Sequence, residues 1–182
     1  MALNDPVLPF GLRDVKVYPI STSDGSIGSG IDLPAARVFK FSEAEDFETL
    51  RGDDAIISIR GKGPRCEWDL EAGGISFAAY QVMAGGTVST SGTTPNQVKK
   101  IAKGDLDVRP YFAVRGMSLS DSGGNFHGLV FKARATKSLD GEQSDGTFWI
   151  TKASGEGIGD ATHNLYEFRQ FETTTAIPTT WD

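Results

Sequence analysis

Carboxylates are the side chains in this sequence that are best spaced to do chemistry. Glu67, Asp69 and Glu71 alternate with apolar residues, so on a β-strand they share one face at intervals of about 7 Å. Paired carboxylates can act as acid and base in glycoside hydrolysis. Asp53 and Asp54 form another formal pair, but neighbours on a strand point to opposite sides. An ordinary solvated face remains the alternative for the three-carboxylate strand.

The sequence offers few residues suited to nucleophilic catalysis, metal binding or redox chemistry. His127 and His163 lie far apart in the sequence, and Cys66 is the only cysteine, so neither a thiolate–zinc site nor an internal disulfide can form. The chain contains no G-x-S-x-G motif. The stretch DGEQSDG from Asp140 lacks the glycine and the closing glutamate of a calcium-binding loop. We therefore expect no enzyme activity, no metal and no cofactor.

Two Gly-Gly pairs, at 73–74 and 85–86, raise the possibility of a phosphate-binding loop. Such a loop is usually followed by Lys or Ser/Thr, as in G-x-x-x-x-G-K-[ST], and the sequence has no such motif. The first pair also follows the acidic strand, whose charges repel phosphate. The glycines are therefore interpreted as boundaries of the element between them.

That element is predicted to be a short helix over about 75–84, with a strand as the open alternative. Four residues follow the i, i+4, i+7, i+8 spacing of one helical face, and aromatic residues lie on the other side. The four are Ile75, Ala79, Val82 and Met83, and the aromatic residues are Phe77 and Tyr80. Because the stretch is apolar nearly all round, we expect it to be buried or to lie in an interface.

The elements around it alternate with period two and are separated by Gly, Asp and Ser clusters. This pattern predicts about eight strands in one mainly β domain, a sandwich or barrel. The net charge of −6 opposes a general affinity for nucleic acid or anionic lipid. No apolar run approaches a membrane span, and the first residues lack a signal-peptide pattern. We expect synthesis in the cytoplasm and no membrane contact.

One acidic segment and the two ends of the chain are harder to place. Phe41–Asp54 is predicted to be a solvated loop, with a helix as the alternative because Ser42 and Glu45 match a capping box. Residues 1–10 and 173–182 are interpreted as arms that dock on a neighbouring copy, with folding back on the same domain as the alternative. Their apolar side chains are Leu3, Val7, Leu8, Phe10, Ile177 and Trp181.

Seven phrases occur along the chain in a recognisable order. They are GLRDVKVYPI, DLPAARVFKF, LRGDD, WDLEAGGISFAAYQVMAGG, SGTTP, YFAVRG and GLVFKARAT. In this order the chain resembles the major tail proteins, the tube-forming subunits of long-tailed bacteriophages with non-contractile tails. The resemblance spans residues 11–136 and continues more weakly to about residue 174.

The resemblance implies a β-sandwich or barrel-like tail tube domain over 11–172 with one flanking helix. Such subunits are structural virion proteins that form stacked, hexameric rings around a channel for DNA. The implied partners are further copies of the chain, a tape-measure protein and a tail terminator protein. The implied location is the virion tail, after assembly in the host cytoplasm.

The resemblance also suggests roles for particular residues. Glu67, Asp69 and Glu71 would line an electronegative lumen past which DNA slides. The loop after the second strand would reach the next ring, and its candidate residues are Glu43, Glu45, Asp46, Phe47, Leu50 and Arg51. A carbohydrate-binding, lectin-like module is the alternative function, with Trp149 or Trp181 stacking on sugars.

Overall fold

A computed structural model describes residues 7–121, 123–137 and 139–182. Within these residues the chain forms eleven strands and one helix, which confirms the mainly β prediction. In chain order they are β1 (Pro9–Pro19), β2 (Ile31–Asp32), β3 (Ala36–Gly52), β4 (Ala55–Gly73), α1 (Phe77–Ala84), β5 (Thr87–Ser91), β6 (Val98–Ala102), β7 (Phe112–Ser120), β8 (Asn125–Arg134), β9 (Leu139–Asp140), β10 (Ile150–Gly157) and β11 (Tyr166–Phe171). The described residues include no helix long and apolar enough to cross a membrane.

Nine strands form one antiparallel sheet that folds over on itself at β8. The strand order is β2-β1-β7-β8-β10-β4-β3, with β9 paired to β10 and β11 paired to β8. Along one edge, β8 pairs with β7; along the other, it pairs with β11 over residues 125–130 and with β10 at 133–134. The first layer is therefore β2, β1, β7, β8 and β11, and the second is β10, β4 and β3.

The core lies between these two layers. Alternate residues of β1 and β4 point into it, including Val15, Val17, Trp68 and Leu70, which are all buried. The Trp68 and Phe112 rings meet edge to face with their centroids 5.4 Å apart. Strand alternation therefore places one wet face and one buried face on β4, as the sequence predicts.

Two glycines bring the layers into contact. Gly116 of β7 and Gly128 of β8 are directly paired, and a Cβ at either position would overlap the Phe39 or Phe41 ring from the second layer. The absence of side chains at these two positions allows the β3 aromatic rings to lie against the first layer.

The helix prediction is confirmed, and the strand alternative is wrong. Ser76 caps α1, its hydroxyl accepting from the Ala79 N–H. Ala79, Val82 and Met83 are buried in the core, as the predicted face requires. The chain leaves the helix at Gly85, which has a positive φ of 79°.

The inclusion of Ile75 in the helix is wrong. Ile75 precedes the cap and is largely exposed. Phe77 and Tyr80 are half-buried on the other side of α1. The chain itself therefore buries only part of the surface of these two aromatic side chains.

Both predictions for Phe41–Asp54 are also wrong, because this segment belongs to a long β-hairpin. β3 pairs with β4 down to Gly52 and Ala55, and Asp53 and Asp54 form the two-residue turn with φ values of 47° and 61°. Asp tolerates this left-handed conformation better than most residues. The partner strand carries isoleucines at 56, 57 and 59, which favour strand pairing. Asp53 and Asp54 therefore do not lie on a strand.

The core assignment predicts a large difference between two leucines. Leu70 is 2% exposed and Leu106 is 95% exposed. We expect Leu70→Ala to lower the free energy of unfolding by about 2–5 kcal/mol, while Leu106→Ala changes it by less than about 0.5 kcal/mol. Urea denaturation followed by tryptophan fluorescence measures both. Equal losses for the two variants would contradict the described core.

Candidate functional site

The predicted carboxylate face exists on the outer side of the second layer. Glu67, Asp69 and Glu71 point outward from β4, while Trp68 and Leu70 between them and Cys66 before them are buried. Burial raises the pKa of the Cys66 thiol to about 11, and Glu43 adds to the shift. The thiol is thus held in its unreactive protonated form.

The face carries both signs of charge, which the sequence pattern alone does not show. Across the strand pairing, Glu71 lies opposite Lys152 with 3.4 Å between Nζ and Oε1, and Asp69 lies opposite Lys40. Arg65 Nε is 3.8 Å from Glu67 Oε1. The carboxylates of the face are Glu67, Asp69, Glu71 and Glu156, and its cations are Lys40, Arg65 and Lys152. The face is weakly electronegative, because its carboxylates outnumber its cations by one. Arg65 and Lys152 form ion pairs with the first and last of its β4 carboxylates.

The β3–β4 hairpin continues beyond the part of the sandwich that the first layer covers. The last covered positions of β3 are Phe39 and Phe41, and Glu43 Oε2 then accepts a hydrogen bond of 2.9 Å from the Tyr166 hydroxyl. Past this bond, the described contacts of the hairpin are those between its own strands. We call residues 45–62 the distal hairpin.

The outer side of the distal hairpin is charged and paired. Asp46 accepts from Arg65 at 3.1 Å, and Glu48 forms an ion pair with Lys62. These pairs continue the polar face of β4. Such exposed ion pairs contribute little to stability, but they give these four charged groups partners of opposite sign.

The other side of the distal hairpin carries exposed apolar side chains next to Glu45. Alternation from Phe39 and Phe41 places Phe47 on the core-facing side of β3, and Ile59 of β4 lies on the same side, whereas Ile57 stands at a register shift near the turn, with its side chain over Gly52. These three side chains are 65%, 60% and 66% exposed. We call Phe47, Ile57 and Ile59 the apolar hairpin face. Phe47 and Ile59 extend the core side of the second layer past the edge of the first, and Ile57 adds exposed apolar surface near the turn.

Six residues were predicted to lie in an inter-ring loop, and the structure separates them. Glu43 and Asp46 make bonds within the chain, and Phe47 belongs to the apolar hairpin face. Glu45 lies over Gly61 on the inner side, while Leu50 and Arg51 are exposed next to the turn. All six are strand residues, and their contact with another ring stays a prediction. Sequence reasoning missed Ile57 and Ile59, which period-two alternation with Phe47 across a hairpin could have indicated.

Residues 173–182 do not project as an arm, which differs from the expected docking on a neighbour. Ile177 is buried against Tyr18 and Ala113. The Trp181 ring meets Tyr18 and Phe131 edge to face at centroid distances of 4.8 and 5.4 Å. The segment covers the outer side of the first layer, so its apolar groups already have cover within the chain.

A buried polar cluster holds this segment in place. Asn125 Oδ1 accepts from the Thr175 N–H at 2.6 Å, and Arg115 Nε donates to His127 Nδ1 at 3.0 Å. Arg115 also donates to the Asp182 carboxylate. Burial opposes ionisation of Asp182, but the hydrogen bond and charge of Arg115 outweigh it and lower the pKa of that carboxyl. The cluster fixes residues 175–182 on the sheet.

The N-terminal residues are only partly described. Leu3 lies outside the described residues, and Val7 is half-buried. Leu8 and Phe10 are exposed, and Phe10 pairs with Leu119 of β7 as part of β1. Their contact with another copy stays a prediction.

In the described ranges, no three His, Cys, Asp or Glu side chains are arranged to hold a metal ion. His163 pairs with Asp160, with 3.2 Å between Nδ1 and Oδ1, in an exposed turn.

No family model matches the chain, and no curated protein matches it.

The buried histidine predicts a pH dependence of stability. Burial, together with the charge of Arg115, lowers the pKa of His127 from 6.5 to about 4. Between these pH values the unfolded chain binds a proton at His127 that the folded chain does not, so stability falls as the pH drops from 6.5 to 4. We expect a loss on the order of 3 kcal/mol from this residue.

Urea titrations at pH 7, 5.5 and 4.5 measure this loss, with His127→Gln as the matched variant because its amide oxygen can still accept from Arg115. We expect a flatter pH dependence for the variant. Equal slopes for the variant and the wild type would contradict the assignment.

Proposed function

We propose that the protein is a tail tube subunit, which assembles into stacked rings around a channel for DNA. It has a structural role in the virion tail after assembly in the host cytoplasm, with tape-measure and terminator proteins as partners. The proposal assigns it no catalytic step. The observation that carries it is the apolar hairpin face, which continues the core side of the second layer where the chain has no first layer left to cover it.

The physical argument concerns the cost of leaving this face in water. Phe47, Ile57 and Ile59 expose about two thirds of their surface, and burying such side chains contributes about 1–2 kcal/mol each. Contiguous exposed apolar groups with a polar opposite side are typical of protein contacts. Contact with a further copy would remove these side chains from water.

The edges of the sheet support assembly as well. β3 has 17 residues and lies at one end of the strand order, and among the strands that the structure describes it pairs with β4 alone. An unpaired strand edge is available for pairing with another chain. Edge pairing between copies would extend the second layer into a closed ring and so remove the free edge.

The polar face of the second layer is the sheet surface best suited to a channel. The first layer is covered on its outer side by residues 173–182, whereas Glu67, Asp69 and Glu71 remain open to solvent. Carboxylates on a channel wall repel DNA phosphates, and the neighbouring cations keep this repulsion moderate. Such a wall lets a polyanion pass without binding it.

The lectin-like alternative has less support. The Trp149 indole donates to Thr151 Oγ1 at 2.9 Å and its ring lies against Gly141, while Trp181 packs on Tyr18 and Phe131. Neither ring is presented freely. Size measurement at rising concentration separates the two functions, because rings or tubes favour the tube subunit and a persistent glycan-binding monomer favours the lectin.

Changing the apolar hairpin face should block assembly without unfolding the chain. We expect Ile57→Thr with Ile59→Thr to raise the protein concentration needed for ring or tube formation by about tenfold or more. Threonine keeps the β-propensity of the strand. Light scattering and negative-stain microscopy follow assembly, and circular dichroism checks folding.

Val98→Thr is the matched control, because Val98 is 58% exposed on β6 and lies outside the apolar hairpin face. Assembly of the double variant at the wild-type concentration would argue against the proposal.

Reversing the carboxylate face should make assembled tubes retain DNA. Lysine at positions 67, 69 and 71 replaces repulsion by counterion-releasing contacts, so DNA should bind at low salt and dissociate as salt rises. Co-sedimentation of linear DNA with tubes measures retention. The charge-matched control changes Asp105, Glu142 and Asp145, which are exposed loop residues, to lysine. Equal retention of DNA by both variants would contradict the proposal that this face lines the channel.

A further inference from the structure

A cleft lined by cations lies between the β1–β2 connection, the segment before β7 and the end of β8. Its volume is about 430 Å³. Arg109, Lys132 and Arg134 line it around the Tyr111 ring. The guanidinium carbon of Arg134 lies 3.9 Å from the ring centroid, and Lys132 Nζ lies 5.4 Å from it. The chain as a whole has a net charge of −6, so this cluster of three cations is a local exception. It favours binding of an anionic group.

The chain itself supplies little negative charge to the cleft. Lys132 Nζ lies 3.5 Å from Asp160 Oδ2, and Asp160 also accepts the N–H groups of Thr162 and His163. Arg109 donates to backbone carbonyl oxygens of 135 and 137.

Arg134 has an unused donor in the cleft. Its Nε is buried and has no hydrogen-bond partner within the described residues. Glu156 lies opposite Arg134 in the β8–β10 pairing, but no described ion pair joins them. A buried donor without an acceptor is costly, and a carboxylate is the strongest acceptor for a guanidinium. Within the described residues, the cations of the cleft are therefore not matched by an equal number of carboxylates.

The turn of the β3–β4 hairpin carries charge that is complementary to this cleft. Asp53 and Asp54 place two adjacent carboxylates at its end, and neither makes an ion pair within the described residues. This contrasts with Asp46 and Glu48 farther down the hairpin, which are both paired.

Apolar surface accompanies the charge on both sides. Leu50 and Ile56 flank the turn and are 60% and 56% exposed, and Val108 at the cleft is 75% exposed. The turn and the cleft therefore match in polarity as well as in charge. They are separate patches of one surface, so their contact between copies is heterologous and repeats from copy to copy.

We propose that the cleft of Arg109, Lys132 and Arg134 binds the Asp53–Asp54 turn of a second copy. This inference rests on the proposed function and names the acceptor of the hairpin in the assembly. The carboxylates pair with the guanidinium and ammonium groups, and Leu50 and Ile56 pack on Val108. Because the contact is electrostatic at its centre, assembly weakens as salt rises.

The test removes and then exchanges the charges in the full chain. Asp53→Asn with Asp54→Asn keeps a turn that favours positive φ and should raise the concentration needed for assembly by about tenfold. Lys132→Glu should do the same. Combining Lys132→Glu with Asp54→Lys should recover part of the loss, because the pair is restored with opposite signs. Glu142→Gln with Asp145→Asn is the control of equal charge change, and urea denaturation confirms folding of each variant.

The outcomes separate this inference from the proposed function. Wild-type tubes together with unchanged assembly of the Asn variant would overturn the inference alone. A wild-type chain that stays monomeric at all concentrations overturns the proposed function and the inference with it. Loss of binding to short duplex DNA in Lys132→Glu, with assembly unchanged, would show that the cleft takes phosphate and would also overturn the inference.

Discussion

The β3–β4 ribbon is longer than the layer against which it packs, and this mismatch determines the free surfaces of the protein. β3 and β4 have 17 and 19 residues, whereas β7 and β8 have 9 and 10. Contact between the layers is set by Phe39 and Phe41 on the side-chain-free positions Gly116 and Gly128. Beyond that contact the same strand alternation continues, so the core side of the ribbon becomes an exposed apolar face.

The rest of the molecule is better satisfied within the chain. Residues 173–182 cover the first layer through Ile177 and Trp181, anchored by the buried Arg115 and His127. The helix α1 buries Val82 and Met83 in the core. The ribbon and the cationic cleft carry the exposed apolar and charged groups on which the proposed contacts between copies depend. This arrangement suits a subunit that contacts other copies through the projecting β3–β4 ribbon. The ribbon ends in two carboxylates, and the cations that could bind them line a separate cleft.

Sequence periodicity predicted the features that depend only on neighbouring residues in the sequence. Period-two alternation correctly separated Glu67 from the buried Trp68, and the 3.6-residue period identified the buried face of α1. The partners across the strands, such as Lys152 opposite Glu71, depend on register between distant segments and could not be predicted. The acidic stretch before Asp53 was missed because its strand character comes from pairing with the isoleucines of β4. The docking of Trp181 likewise depends on remote Tyr18 and Phe131.

If the protein assembles as proposed, a second copy covers the apolar hairpin face. A cryo-electron microscopy reconstruction of the protein assembled at high concentration would show which groups contact Phe47, Ile57 and Ile59. We expect a ring or tube in which a neighbouring copy packs on these three side chains. An assembly in which they face open solvent would overturn the proposed contact.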